Sequence, residues 1–277
     1  MRQRPDLPDA LPPAPAAVWF DVELPSVEEN LAVDEALLEQ AHEGLTTETW
    51  VRTWMAAEPT IVLGSSSRMD EEIDMVRCDA AGVRVVRRPS GGATVVLGPG
   101  CLMWSVITPH PIATPSIEAI HAAMLEPLAN ALSSALLRAT SPAGLRVVRR
   151  GTSDLAIVES GTGAVDYDLH TAAGERKISG NALRVRRHGV LYHGTLLDSF
   201  DLALVGSVLR HPPREPDYRS QRSHGDFLAN LNLGRDVLEG IVRGAFNATL
   251  ACPGWPRDRV AALVSERYSA REWTRRL

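Results

Sequence analysis

The amino-acid sequence predicts an α+β fold in which a mainly antiparallel, mixed β-sheet is flanked by helices. Two features of element order predict it. Short β-branched or aromatic runs follow one another across tight turns bearing glycine and proline, as hairpin-connected strands do. Helical runs stand apart from these strands instead of alternating with them, which argues against a doubly wound parallel sheet. Composition adds a third observation: 277 residues with 44% hydrophobic, 23% charged and 5% aromatic content can bury a large core. Chain-wide disorder is excluded, and no apolar run approaches the roughly 18 residues that a membrane-spanning helix requires.

Residues 1–17 hold five prolines and too little continuous hydrophobicity to pack, so they are expected to form a flexible leader. Asp6 and Asp9 dilute the charge of Arg2 and Arg4, and no small-residue cleavage pattern follows; the expected location is the cytoplasm. Over 26–42, Leu31, Ala32, Ala36, Leu37, Leu38 and Ala41 recur at helical spacing, and Ser26 with Glu29 makes a capping box. Residues 49–54 and 60–63 read as two short strands joined by a turn at Glu58-Pro59, and a helix follows over 70–81. Next come a strand over 83–86, a glycine loop, a strand over 93–97, a Gly98-Pro99-Gly100 turn and a strand over 102–108. Residues 116–139 read as a long helix that Pro127 should kink or divide. Strands at 147–148 and 155–158 precede a polar, glycine-bearing segment at 159–174, and 178–185 with 190–197 resemble a hairpin around 186–189. The pattern then turns helical at 201–210, 235–249 and 257–269, interrupted by a polar loop holding Pro212, Pro213 and Pro216. This places one domain over 18–250 and a helical extension over 251–277.

Cys78, Cys101 and Cys252 are too few and too scattered for a disulfide framework or a zinc site, so no metal site is expected and a reducing compartment fits. The net charge of −5 hides an asymmetry: residues 1–80 carry 17 acids against 5 bases, residues 81–277 carry 17 against 24, and the later part can hold an anion. Of the 29 basic residues, 28 are arginine and one is lysine, Lys177. Lysine is a compact, titratable point charge able to sit between two anions, whereas arginine is a planar fork that keeps its proton.

Two motifs give that lysine a context. In Arg87-Arg88-Pro89-Ser90-Gly91-Gly92-Ala93-Thr94 the glycines let backbone N–H groups approach an anion, and the arginines can clamp a phosphate or carboxylate. It is neither a Walker loop nor a dinucleotide fingerprint, and its bland alternative is a hairpin turn beside surface arginines. In the second, Glu175-Arg176-Lys177-Ile178-Ser179-Gly180-Asn181, strand alternation sends Lys177, Ser179 and Asn181 to one face and Ile178 to the other. Asp154 can line the same cleft or cap a turn.

These residues resemble the lipoate-protein ligase A family, within the superfamily that includes biotin-protein ligases and octanoyl transferases. Residues 87–93 match its Arg-Arg-x-Ser-Gly-Gly-Gly loop, 177–182 its Lys-Ile-Ser-Gly-x-Ala strand, and 193–197 its His-Gly-Thr-Leu-Leu strand; Asn30-Leu31-Ala32 and Ser153-Asp154-Leu155 also resemble family positions. The likeness spans about residues 20–230. It implies a biotin/lipoate-protein ligase-like catalytic domain that joins lipoate to ATP as an adenylate, with Mg2+ on the polyphosphate, and then acylates a carrier lysine. It implies that Arg88, Ser90, Gly91, Gly92, Ala93, Thr94, Val95 and Val96 bind the nucleotide portion and that Lys177 contacts the acyl carbonyl and the α-phosphate. Asp154, Ser179, Gly180, His193, Gly194 and Thr195 would shape or orient the pocket. The implied partners are lipoyl carrier domains of 2-oxo acid dehydrogenase complexes or the glycine cleavage H protein. An ammonium held between two anions lowers the barrier to their joining electrostatically.

The chain departs from the family pattern at several points. The third glycine is Ala93, Leu97-Gly98 replaces a His-Asp pair, Cys101 stands for an asparagine, and only 80 residues follow Leu197. From the last departure a full accessory domain is not expected, which implies either a separate partner protein or an enzyme that works chiefly as a transferase. Within acyl transfer the rival is a cysteine-dependent, ATP-independent octanoyl transferase; residues 159–174, where one branch carries its cysteine, have none, leaving Cys101 as the candidate near a motif. A non-catalytic module holding an acyl-nucleotide or carrier domain is a further alternative. Nucleic-acid binding through Arg146, Arg149, Arg150, Arg184, Arg186 and Arg187 ranks last, because aromatic interleaving is missing and the chain is acidic.

Overall fold

In chain order the elements are β1 (Ala17–Phe20), α1 (Val27–Glu43), β2 (Trp50–Met55), β3 (Thr60–Leu63), α2 (Met69–Glu72), α3 (Met75–Ala80), β4 (Arg84–Arg87), β5 (Val95–Leu97), β6 (Cys101–Pro109) and α4 (Ile117–Ala139). They continue as β7 (Leu145–Arg150), β8 (Asp154–Glu159), β9 (Arg176–Arg186), β10 (Gly189–Leu197), α5 (Leu202–Val208), α6 (His224–Phe227), α7 (Arg235–Ala245), β11 (Ala248–Ala251), α8 (Arg257–Leu263) with a π turn over Val264–Tyr268, and α9 (Arg271–Thr274). The computed structural model describes residues 15–110, 116–139, 144–159 and 174–277; residues 1–14 of the expected leader and 160–173 of the polar segment lie outside the described residues.

The strands form an eight-stranded mixed sheet in the order β11-β1-β2-β6-β10-β9-β8-β7 and a three-stranded one in the order β4-β3-β5. Most neighbours are antiparallel; β1 is parallel to both β2 and β11, and β3 is parallel to β4. The large sheet separates two apolar cores. Strand β10 shows why: Val190, Tyr192 and Leu196 enter the core under α4 and α7, whereas Leu191 and Leu197 enter the core under α1. Alternation turns His193 and Thr195 to the α1 side as well, where they meet a cleft between the two sheets.

Helix α1 forms as its sequence dictates. Ser26 Oγ accepts from Glu29 N at 3.1 Å and Glu29 Oε2 accepts from Ser26 N at 2.9 Å, so two orphan donors of the first turn are satisfied reciprocally. Gly44 at φ +73° ends the helix in the left-handed region.

Several expectations change. The strands at 49–54 and 60–63 are not a hairpin: β2 belongs to the large sheet and β3 to the small one, so Glu58-Pro59 carries the chain between sheets. The glycine loop joins β4 and β5 across the intervening β3 and is no hairpin turn. The helix expected over 70–81 is broken at Ile73, which is buried and bridges Leu209, and Asp74 re-caps the chain for α3. Pro127 does not divide α4, whose Leu125, Leu128, Ala129 and Leu132 are buried on both sides of it. The helix expected over 235–249 stops at Ala245, since Asn247 takes φ +48° and Ala248–Ala251 add a strand beside β1.

Candidate active site

The cleft is built from the β4–β5 loop, the β8–β9–β10 strands and the segment 209–228 that follows α5. Its first organising feature is a bulge. Leu155 pairs with Ser179 and Ala156 with Lys177, so Ile178 is an extra residue on β9. Asp154 and Ala156, two apart on β8, share a face, and their partners Gly180 and Lys177 therefore share it too. The sequence alternation had grouped Lys177 with Ser179 and Asn181; the bulge instead pairs Lys177 with Gly180 and Asp154 and sets Ser179 opposite Leu155, a residue of the core beneath α4. Ser179 Oγ donates to Asn181 Oδ1 at 3.2 Å, and Asn181 Nδ2 donates to Ser153 O at 2.7 Å, so this polar pair fixes the strand.

Lys177 Nζ lies 2.8 Å from Asp154 Oδ1, and Tyr218 OH donates to Asp154 Oδ2 at 2.9 Å. Both carboxylate oxygens are thus engaged, and burial together with the Asp154 charge drives the Tyr218 phenol far above its usual range, keeping it a donor. Gly180 lies beneath the ammonium: a Cβ there would stand 2.9 Å from Nζ and push the lysine head aside. Gly180 N donates to Thr195 Oγ1 at 3.2 Å, and Gly194 leaves the space that Asn181 Oδ1 fills, 1.7 Å from where a Cβ would be.

The glycine loop is held from all sides by side chains. Arg88, 5% exposed, donates Nε to Ser90 Oγ (3.0 Å), Nη1 to Val62 O (3.1 Å), and Nη2 to Gly91 O (2.7 Å) and Ala93 O (2.9 Å). Four of its five N–H groups therefore bind the protein. The clamp expected from this arginine is turned inward on the loop's own carbonyls. Burial lowers its pKa to about 10, which leaves it charged at neutral pH. Arg87 is also internal, donating to Gly64 O, Ser67 O and Thr274 O, while Trp273 Nε1 donates to Arg87 O. Gly92, at φ +86°, brings its carbonyl so close to Gly64 that a Cβ on Gly64 would lie 1.9 Å away.

Behind the loop runs a buried polar chain that includes two residues not singled out from the sequence, Asp34 and Arg52. Ser90 Oγ lies 2.6 Å from His193 Nε2, His193 Nδ1 lies 3.6 Å from Asp34 Oδ2, and Asp34 Oδ1 accepts from Arg52 Nη1 at 2.9 Å. Nδ1 faces the Asp34 carboxylate, which can only accept, so the fitting tautomer carries its proton on Nδ1 and leaves Nε2 to accept from Ser90 Oγ. Burial lowers the His193 pKa, aided by the Arg88 charge and opposed by Asp34, so the imidazole is neutral. For Asp34, burial pushes the carboxyl up, but Arg52 and His193 outweigh it and hold it below its usual value. A signal existed: Asn30 and Asp34 are polar residues four apart on the apolar side of α1, and Arg52 reaches both.

The cleft has two lobes of about 140 and 350 Å³. Ala93, Thr94, Val95, Lys177, Gly180 and Thr195 line both, so the ammonium stands at their junction. Val96 lines the smaller lobe, with Val205, Phe227 and Leu228; Arg88, Gly92, Asp154, His193 and Gly194 line the larger, with Leu31, Val62 and Met103. Ser90, Gly91 and Ser179 line neither. Glu72 Oε2 accepts from Thr94 N at 3.0 Å, so a carboxylate of the chain sits on one N–H of the anion cradle. Sequence reasoning also missed Arg214, Tyr218 and His224, whose segment reads only as a polar, proline-bearing interruption; His224 is held to a pKa of about 4 by burial and by Arg219, His211 and Lys177. Leu97 and Cys101 are buried, and burial drives the Cys101 thiol up to about 12.

Residues 26–239 match the family model described as the lipoyl protein ligase A/B catalytic domain. Among curated proteins, octanoyltransferase LipM of Moorella thermoacetica is 28% identical over 95% of this chain and 99% of its own, and that of Geobacillus kaustophilus is 30% identical over 70% and 69%. Among solved structures, the bi-partite lipoate protein ligase of Thermoplasma acidophilum, described with its E2 lipoyl domain, superposes with a TM-score of 0.74 at 21% identity, covering 94% of this chain and 96% of its own. A lipoate-protein ligase A bound with ATP gives 0.72 at 20% identity over 94% and 98%. Both share the fold of mixed sheets flanked by helices. The family model spans well over half of the sequence and contains every loop and strand of the cleft, and on that ground the chain belongs to the lipoyl protein ligase A/B catalytic domain family.

Proposed function

We propose that the chain is a lipoate-protein ligase, which activates lipoate or octanoate with ATP as an acyl-adenylate and transfers the acyl group to a lysine of a carrier domain. The observation that carries this is the Lys177 ammonium at the junction of two lobes, fixed by Asp154. An acyl-adenylate has two ends joined by a mixed anhydride, and the junction is where that bond belongs. The apolar end of the larger lobe, with Leu31, Val62 and Met103, suits the acyl chain, and the loop residues Ala93, Thr94 and Val95, which line both lobes, suit the nucleotide.

In the first half-reaction a carboxylate oxygen bonds to the α-phosphorus while the bond to the departing pyrophosphate breaks. Lys177 offsets the repulsion between the two anions. In the second, the carrier amine bonds to the acyl carbon, AMP leaves with the anhydride oxygen, and the amine proton passes to solvent. Lys177 then stabilises charge on the carbonyl and phosphate oxygens. Among the described residues no group of three or more His, Cys, Asp or Glu side chains is arranged to hold a metal; magnesium would enter with the nucleotide and neutralise polyphosphate charge. A lipoyl domain as acceptor is supported by the archaeal ligase described with its E2 lipoyl domain, and its bi-partite make-up supports a separate accessory protein here.

The names of the curated relatives favour a second reading, ATP-independent octanoyl transfer. Pyrophosphate exchange into ATP separates the two, with lipoate, octanoate and biotin as acids and Lys177→Ala as control. Exchange that needs lipoate or octanoate and vanishes in the variant is expected. Absence of exchange, with acyl transfer from a carrier-protein thioester, would overturn the ligase assignment in favour of the transferase.

A further inference from the structure

Among the described residues five cations line the two lobes, and the protein itself engages four of them unequally. Arg88 is spent on loop carbonyls, Lys177 is paired with Asp154, and Arg210 donates Nε to Ile73 O at 3.0 Å. Arg219, 4% exposed, lies 3.4 Å from Glu215 and stacks over Phe227 at 4.9 Å, yet its Nη2 is buried without a hydrogen-bond partner. Among the described residues Arg214 is the cation of the cleft with no ion pair or hydrogen bond, and like Lys177 it lines both lobes. A buried guanidinium N–H is costly to leave unmet, and an exposed arginine at a cavity mouth is free to take an anion. Both arginines belong to one segment, pinned over the site by Tyr218 on Asp154 and by Arg222, which donates to Glu175 O and Tyr218 O at 2.7 Å. Glu215, between them, is turned to Arg219 and His211.

We infer that Arg214, with Arg219 behind it, seats the polyphosphate that leaves as pyrophosphate. This rests on the adenylating reading above and deepens it by assigning the leaving group its own cations, distinct from Lys177. The bond broken is that between the α-phosphorus and its bridging oxygen; the electron pair departs with pyrophosphate, whose growing charge Arg214 meets directly and Arg219, buried behind it, through space. Once pyrophosphate has gone, neither arginine has a partner on the acyl-adenylate, so the transfer half-reaction depends on them little.

The test compares wild type with Arg214→Gln, an exposed position where folding is not at stake, in three measurements: calorimetric binding of ATP and of AMP, pyrophosphate exchange, and transfer from synthetic lipoyl-adenylate. One charge-assisted contact predicts a ten- to hundred-fold rise in the KM for pyrophosphate and a similar loss of the preference for ATP over AMP. Transfer from the adenylate should fall at least ten-fold less than exchange. Wild-type exchange that Arg214→Gln leaves unchanged, or an equal fall in both half-reactions, overturns the inference while the ligase assignment stands. A wild type that neither exchanges nor prefers ATP to AMP overturns both.

Discussion

Gly180 offers a way to move the Lys177 ammonium without removing it. A Cβ at this position would lie 2.9 Å from Nζ and 3.0 Å from Cε, whereas ordinary contact begins near 3.4 Å, so in Gly180→Ala the lysine head must retreat by about 0.5 Å. The backbone has no objection, because Gly180 is not among the glycines of positive φ. Replacing a strand glycine by alanine also reduces the entropy of the unfolded chain, worth up to about 1 kcal/mol in favour of folding. The weaker Lys177–Asp154 contact offsets that gain, so stability should change little while activity falls. Drawing a unit charge from 2.8 Å, its present distance from Asp154 Oδ1, to about 3.3 Å costs about 1 kcal/mol at an effective dielectric near 20, and the same loss applies to a substrate oxygen. That alone gives about a five-fold slower reaction, and misalignment can extend it toward about a hundred-fold. The assay is single-turnover acyl transfer to a carrier lysine, with the melting temperature measured in parallel. A folded Gly180→Ala variant within two-fold of wild type would refute the assignment of the ammonium's position as catalytic.

Three further outcomes follow from the buried groups. Asp34→Asn leaves Arg52, which is fully buried, without its counter-charge and should cost about 3–5 kcal/mol in urea unfolding; a loss below 1 kcal/mol would mean that the Asn30 and Val22 contacts suffice. His121, His193 and His224 all have pKa values lowered, chiefly by burial, so the unfolded chain takes up their protons first. Stability from these groups is complete above the unfolded value of 6.5 and is lost as pH falls toward the folded values, about 4 for His224. Melting temperature should drop across that window and drop less in His224→Asn. Cys101→Ala should retain acyl transfer and iodoacetamide should leave native Cys101 unlabelled, since its thiol is buried and pushed up to about 12; loss of transfer in a folded variant would reinstate a cysteine nucleophile.

What the sequence discloses and what it withholds divide along the range of the interactions. The α1 start is local, a serine and a glutamate three residues apart, and it is legible. The β9–β10 hairpin is equally local, as is the isolation of Lys177 among 28 arginines. The bulge at Ile178 is not, because it is fixed by pairing with β8, and so Lys177 and Ser179 looked like neighbours on a face they do not share. Strand β1 hides behind the prolines and exists only through partners some 30 and 230 residues distant, as its register with Trp50 and Ala248 shows. The inward turn of Arg88 is of the same kind: a double arginine before two glycines looks like a ligand clamp until Val62, Gly91 and Ala93 present their carbonyls to it.

That inward turn bears on the chemistry. With the loop's carbonyls and Ser90 bound from within by Arg88, His193 and Arg184, which donates to Pro89 O, the loop is set before any ligand arrives. Preorganised dipoles stabilise a transition state without reorganising. Lys177 would serve either route open to this family, since it can meet charge on an acyl carbonyl whether the leaving group is a phosphate or a thiol. The routes differ in what else must face that carbonyl. A thioester route needs a reactive thiolate beside it; Cys78 and Cys101 are buried with pKa values raised, chiefly by burial, and Cys252 follows β11, with its Sγ at 3.6 Å from Gly254 O. An adenylating route needs cations for a departing pyrophosphate, and the segment closing the cleft offers a guanidinium without a partner and another with a buried, unmet N–H. Among the described residues, these unsatisfied cations are the ground on which we propose a phosphate leaving group.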